Sequence, residues 1–253
     1  MDEMYQSIKR VFPKITHDQS IAFVYHTNRI ERIPMNKSII EKTMSNKEPN
    51  PFALGQLKCL GLIQHLAEDP NLIPEQVNSV FDLDTKFSWI KRIHKNLMRD
   101  VAEHGITLVD PSFIKPMDVG IYRQSEKILE AQTKDLRGIF QIPMPSPITV
   151  RELMLDWAKD LCKFNNEYRP IVERSRYDQD TAKALVDKAY ETNLRWCCIK
   201  PFEDGSNRAA RIAENLLRLH WGLPLKIITE DDKDKYLEDI REMQHEYSNF
   251  KSR

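Results

Sequence analysis

Apolar residues recur at every third or fourth position through most of this chain, which is the period of an amphipathic helix. The spacing predicts helices over roughly 17–33 and 52–68. The proline-free stretch from Glu75 to Asp110 carries Phe87, Ile90, Ile93, Leu97 and Val101 at helical spacing. Another helix is expected over 148–167, behind the cluster Pro143, Pro145 and Pro147. Residues 180–199 place Ala182, Leu185, Val186, Ala189, Tyr190 and Leu194 on one side. Ala210, Ile212, Ala213, Leu216, Leu217 and Leu219 form the stripe of a helix beginning near Asn207, with Gly222 and Pro224 as its stop. A last, charged helix is expected from about Glu230 to Tyr247. One segment differs. Asp135 to Ile142 alternates polar and apolar residues around Gly138, which reads either as a small β-hairpin or as a loop crossing between helices.

Composition narrows the class. Seven glycines in 253 residues, well below the usual ~7%, disfavour a turn-rich sandwich or barrel and suit an all-α fold. Lysine plus arginine and aspartate plus glutamate both number 38. No global charge therefore directs the chain to nucleic acid or to a membrane, and any anion binding must be local. No apolar run approaches the ~20 residues of a membrane span, and the start, MDEMYQSIKR, lacks the apolar core of a signal peptide. Cys59, Cys162, Cys197 and Cys198 show no zinc-ligand spacing and read as reduced core thiols. The expected location is cytoplasmic, with signal-independent export left open. No repeat, low-complexity tract or evident linker divides the chain.

The stretch KPFEDGSNRAAR, Lys200 to Arg211, carries the candidate chemistry. Pro201 ends the preceding helix by biasing Lys200 away from helical geometry. Asp204, Gly205, Ser206 and Asn207 are turn and cap residues. Arg208 and Arg211 then fall in the first turn of the next helix, at the positive end of its dipole, where a cation is unfavourable. An anion at the same place reverses the sign, because free amides, dipole and two guanidiniums would converge on it. Phosphate is the obvious anion. The alternative is that the arginines pair with Asp204 or Glu203. Asp204 also has the chemistry to hold Mg²⁺ against phosphate oxygens.

The same stretch resembles the signature of the Fic (Fido) family, His-x-Phe-x-Asp/Glu-Gly-Asn-Gly-Arg-x-x-Arg, retaining Phe202, Asp204, Gly205, Arg208 and Arg211. Lys200 replaces the histidine, Ser206 the first asparagine and Asn207 the last glycine. Gly120-Ile121-Tyr122-Arg123 is similar to the family's Gly-x-Tyr/Phe-Arg that precedes a substrate-binding flap, and the alternating segment falls where that hairpin is placed. Thr27 to Glu31 looks like the inhibitory motif Ser/Thr-x-x-x-Glu followed by Gly or Asn, with Arg32 in the small-residue slot. The resemblance spans roughly residues 20–245. It implies a Fic-type helical domain with a short β-hairpin flap. It also implies an N-terminal helical region, 1–85, that includes an inhibitory helix at about 17–33, and a core over 86–253.

Such proteins typically transfer AMP from ATP to a hydroxyl of a target protein. The resemblance therefore implies ATP and Mg as cofactors and a protein target of unknown identity, with no nucleic acid and no membrane. Asp204 becomes the metal residue, Gly205, Ser206 and Asn207 the phosphate cradle, and Arg208 and Arg211 the phosphate clamps. Glu31 becomes the inhibitory residue, expected to pair with Arg211; the alternative is a surface partner, Arg29 or Arg32. Lys200 occupies the general-base position. A lysine ammonium is charged at neutral pH and accepts no proton, and losing a general base typically costs ~10²–10⁴ in rate. The chemistry is thus expected to be impaired, with Lys200 better suited to binding a phosphate oxygen; the alternative is a solvent-facing lysine that replaced histidine without gaining a role. The other reading is a non-catalytic Fic-fold regulatory or protein-interaction module. His94 is expected to be packed or hydrogen-bonded rather than metal-bound, and Trp157, Trp196 and Trp221 are expected in the core or a partner surface.

Overall fold

The computed structural model describes residues 12–104, 115–126, 128–132, 139–173 and 178–250. Among these, helices α1 (His17–Ile30), α2 (Lys37–Met44), α3 (Pro51–Leu66), α4 (Val80–Lys86) and α5 (Ser88–Glu103) come first. A two-stranded antiparallel hairpin follows, β1 (Ile128–Gln132) with β2 (Ile139–Pro143), in a register that pairs Ile128 with Pro143 and Gln132 with Ile139. Then come α6 (Pro147–Val172), α7 (Gln179–Ile199), α8 (Ser206–His220) and α9 (Lys233–Phe250).

Local chemistry explains most starts. Thr16 closes a reciprocal capping box with Gln19, Asn50 caps α3 ahead of Pro51, Ser146 caps α6 ahead of Pro147, and Asp178 caps α7. Each side-chain oxygen satisfies a first-turn amide that has no intrahelical acceptor. Helix α8 is different: it begins after Gly205, at φ +72°, with no side-chain cap.

Helix α8 is also the centre of the molecule. Every residue from Arg208 to His220 is buried, and α3, α5 and α7 pack around it. A helix buried all round has no solvent side on which to place polar residues, yet Arg208, Arg211, Glu214, Asn215 and Arg218 lie on it. Helices α3 and α5 can approach closely because Gly55 has no side chain; a Cβ there would sit 2.3 Å from the Leu97 carbonyl oxygen. Phe87, Trp89, Trp157 and Trp196 form one aromatic cluster, with Trp89 and Trp196 stacked at 6.1 Å, so these rings are core. Trp221 is buried as well.

The fold class is all-helical as expected, and several boundaries move. The stretch after Glu75 is two helices, because Phe87 leaves helical geometry (φ −105°, ψ 33°), ending α4 and starting α5 with its ring in the aromatic cluster. Helix α2, which the sequence pattern did not reveal, is capped by Asn36 and buries Ile40 and Thr43. Helix α6 runs past 167 to Val172, because Pro170 lies in its last turn, where little of the helix remains to be disrupted. The hairpin starts earlier than Asp135: β1 lies at 128–132, and Gly138, with the rest of 133–138, is outside the described residues.

Candidate functional site

Helix α7 ends at Ile199, and Lys200 turns the chain in left-handed geometry at φ 51°. From there the loop to α8 is tied down on its flap side. Arg123, itself buried, donates from Nε to the Lys200 carbonyl at 2.7 Å and from its terminal nitrogens to the carbonyls of Ser125 and Pro145. Its backbone N–H donates to the Pro201 carbonyl at 2.9 Å. Glu203 Oε1 accepts from the Gln124 and Ser125 amides at 2.8 and 2.9 Å, and Oε2 from the Ser125 hydroxyl at 2.6 Å. The entry and exit of the hairpin are thereby joined to the loop.

Below the loop, the ring of His94 stacks on Phe202 at 3.9 Å, and Tyr122 stacks on the same phenylalanine at 5.8 Å. The Gly120 amide donates to His94 Nδ1 at 2.9 Å, so the ring proton belongs on Nε2, which donates to the Asp204 carbonyl at 2.9 Å. Burial lowers the imidazole to about 4, against the raising effect of its bond to Asp204. His94 is therefore a neutral bridge, packed and hydrogen-bonded as expected. The Ser206 hydroxyl accepts from the Phe202 amide at 3.0 Å and donates to the Phe202 carbonyl at 3.1 Å. Ser206 thus braces the loop, with its hydroxyl engaged by Phe202.

The cations lie on the other side. The Gly205 carbonyl accepts from Ala209, so the amides of Ser206, Asn207 and Arg208 form the start of α8, where no intrahelical acceptor exists. Arg208 is buried with only a loose contact to Asp204, 3.5 Å to either carboxylate oxygen, and stacks over Phe52 at 5.3 Å. Its NH1 has no hydrogen-bond partner among the described residues. The Lys200 ammonium donates to Asn207 Oδ1. Lys200 and the loop from Phe202 to Arg208 line one cavity of about 250 Å³, together with Glu31 and Met144.

Glu31 reaches this cavity from the end of α1. Its Oε1 lies 2.6 Å from Arg211 NH2, an ion pair in which Arg211 is almost fully enclosed and Glu31 is about one-quarter exposed. Burial alone would raise the Glu31 carboxyl, but the Arg211 guanidinium and the Lys200 ammonium together hold it below the usual carboxylate range. The sequence left Arg29 and Arg32 as other partners. Arg29 instead pairs with Glu230 at 3.0 Å. Arg32 adopts φ 59°, and the bonds Arg32 N–H to Arg29 O and Ile33 N–H to Asn28 O close α1 in a Schellman turn. The small-residue slot is therefore used in left-handed geometry even though an arginine fills it.

No family model matches the chain. A curated Fido domain-containing protein of Dictyostelium discoideum is 29% identical over 122 residues, which cover 48% of this chain and 69% of that protein. A Fic domain-containing signaling protein from Bacteroides thetaiotaomicron superposes with a TM-score of 0.58 at 17% identity, covering 88% of this chain and 71% of that one. Fic-1 from C. elegans superposes with a TM-score of 0.60 at 16% identity over 90% of this chain, which spans 56% of that chain. The chain has a Fic-type fold.

Within this Fic-type fold the residues singled out from the sequence are brought together. Lys200, Asp204 to Arg208 and Glu31 line the cavity, and Arg211 lies behind Glu31. Of the two surface-pair alternatives for the arginines, Glu203 is turned to the flap side, and Asp204 is only loosely engaged. The residues that sequence reasoning missed lie around these. Arg123 was read as part of a motif without a role, Tyr236 only as part of the last helix, and Asn193 and Glu214 had no local signal, because each acts through partners far away in the chain.

Proposed function

We propose that this protein binds a nucleotide phosphate group with Mg²⁺ at the start of α8, and that it resembles protein adenylyltransferases while being impaired in AMP transfer. The observation that carries the reading is Arg208. A buried guanidinium, with one N–H unpartnered among the described residues, belongs to the wall of a cavity at the uncapped, amide-bearing end of a buried helix, next to Lys200. A guanidinium that Asp204 holds only at 3.5 Å, beside first-turn amides and the positive end of the dipole, is suited to an incoming anion.

The residues fit the metal in chemical type. Asp204 offers one carboxylate, 44% exposed, 3.5 Å from Arg208 and with Oδ1 accepting from the Gly205 amide, and Mg²⁺ is commonly bound by one carboxylate completed by waters and phosphates. When bound, the ion would neutralise phosphate charge. Among the described residues no three His, Cys, Asp or Glu side chains form a metal cluster, so Asp204 would act with the nucleotide. Lys200 would contact a phosphate oxygen from the position that the Fic signature gives to its histidine. As an ammonium donating to Asn207, it offers no lone pair to a target hydroxyl. Glu31, by occupying Arg211, competes with the outer phosphate, which is an autoinhibitory arrangement. The second reading, a non-catalytic regulatory or interaction module, rests on the same lysine.

The test compares wild type, Lys200→His and Glu31→Gly for Mg·ATP binding and for nucleotide incorporation into protein. Glu31→Gly is expected to tighten ATP binding, and Lys200→His combined with Glu31→Gly to raise incorporation. Labelling by wild type as fast as by Lys200→His would remove the argument from the lost base.

A further inference from the structure

Arg211 is held from two sides, and only one of them is Glu31. On the far side its NH1 donates to the Tyr236 hydroxyl at 3.4 Å, and Tyr236 donates in turn to Asn193 Oδ1 at 3.0 Å. Asn193 Nδ2 donates to Glu214 Oε2 at 2.7 Å. All four residues are buried, and every donor points the same way, from the guanidinium toward the carboxyl. Glu214 lies one turn after Arg211 on α8, so the relay leaves that helix through α9 and α7 and returns to it. Lys226 Nζ stands 3.6 Å from Glu214 Oε1 and 3.8 Å from the centre of the Tyr190 ring, and its backbone is tied to Asn215. Burial keeps Tyr236 a phenol, able to accept and donate at once. Burial also raises the Glu214 carboxyl, against the opposing pull of Lys226 and Asn193.

We infer that Tyr236, Asn193 and Glu214 form a positioning relay that keeps the Arg211 guanidinium aimed and countered when Glu31 withdraws, ready for the outer phosphates of a nucleoside triphosphate. The inference rests on the proposed nucleotide reading and assigns to that site the residues that preorganise one of its clamps. A chain of bonds with all donors aligned polarises along its length. A buried cation that lost its only counter-ion would be strongly disfavoured; here a second carboxyl remains, reached through two neutral groups.

The test is made in the Glu31→Gly background, with Mg·ATP and AMP as probes in calorimetric titrations. AMP carries no outer phosphate for Arg211 and reports the rest of the site. Adding Tyr236→Phe is expected to weaken ATP about tenfold, the size of one hydrogen bond to a charged group, and to leave AMP unchanged. Adding Glu214→Gln, which keeps an acceptor for Asn193 but removes the charge, is expected to weaken ATP about threefold, a smaller loss because that charge acts through two intervening bonds. It keeps the hydrogen bond from Asn193 and gives up the Lys226 contact on the other oxygen, so it decides the matter should Tyr236→Phe fail to fold. On top of Arg211→Ala neither substitution should change ATP binding further. Unchanged ATP binding, or equal losses for ATP and AMP, overturns the relay. A Glu31→Gly protein that binds neither probe overturns the nucleotide reading and the relay with it, a result distinct from ATP binding that Tyr236→Phe leaves intact.

Discussion

The two sides of the Lys200–Arg211 loop are built on opposite rules. On the flap side Arg123, Glu203, Ser206 and His94 are each tied by two or more hydrogen bonds to backbone or side-chain groups of the scaffold. On the α8 side Arg208 has an N–H without a partner among the described residues, and Arg211 pairs with the Glu31 carboxylate at the end of α1. The first side fixes geometry. The second holds its guanidiniums against side-chain carboxylates, Asp204 at 3.5 Å from Arg208 and Glu31 at 2.6 Å from Arg211.

That contrast can be broken most forcefully on the rigid side. His94→Ala removes two buried hydrogen bonds and the ring stacked on Phe202, and is expected to cost about 4 kcal/mol. For a chain of this size, that is a fall in melting temperature of roughly 10 °C by calorimetry, with no recovery on adding ATP. A melting temperature within a degree or two of wild type would remove His94 from the scaffold. Gly205→Ala comes next, at about 3 kcal/mol. Its backbone is left-handed, and the new Cβ would lie 2.7 Å from Met98 Sδ, so both unfolding and ATP binding should suffer.

On the α8 side the effects are smaller and depend on ligand and pH. Glu31→Gln is expected to cost about 1–2 kcal/mol at neutral pH, since the pair is partly exposed, and ATP is expected to raise its melting temperature more than that of wild type. The sign of the pH dependence follows from the direction of the shift. Glu31 sits below its ordinary value of 4.5 in the folded chain, so its contribution is present above that value and is lost as pH falls through the folded one. Urea denaturation across pH 3–7 should therefore show a steeper acid loss for wild type than for Glu31→Gln; parallel curves would mean that the pair contributes nothing. Arg32→Gly is the smallest effect and has the opposite sign. Glycine accepts φ 59° without the Cβ clash, so a gain of about 0.5–1 kcal/mol is expected in the same assay.

Much of this was legible along the chain because it is short-range. The stripe from Ala210 to Leu219, the stop at Gly222 and the caps at Asn50, Ser146 and Asp178 are written within a few residues of the structure they make. The cation-rich start of α8 was visible for the same reason. The hairpin was harder, since the alternation that signals a strand is weak over five residues, and β1 lies upstream of the segment that showed it. The break at Phe87 was invisible, because the aromatic cluster that draws that residue out of the helix includes Trp157 and Trp196 from later helices.

By itself, then, the sequence determined an all-helical chain and one loop whose residue types call for an anion. Periodicity, caps and turn residues act locally, and a single stretch displays them. Only the tertiary structure decided which carboxylate faces which arginine: Glu31 and not Glu203 on Arg211, Glu203 on the flap entrance, and Glu214 behind Arg211 through Tyr236 and Asn193. Partner choice among charges depends on distances of a few ångströms in a low-dielectric interior. Those distances are set when α1, α7, α8 and α9 pack together.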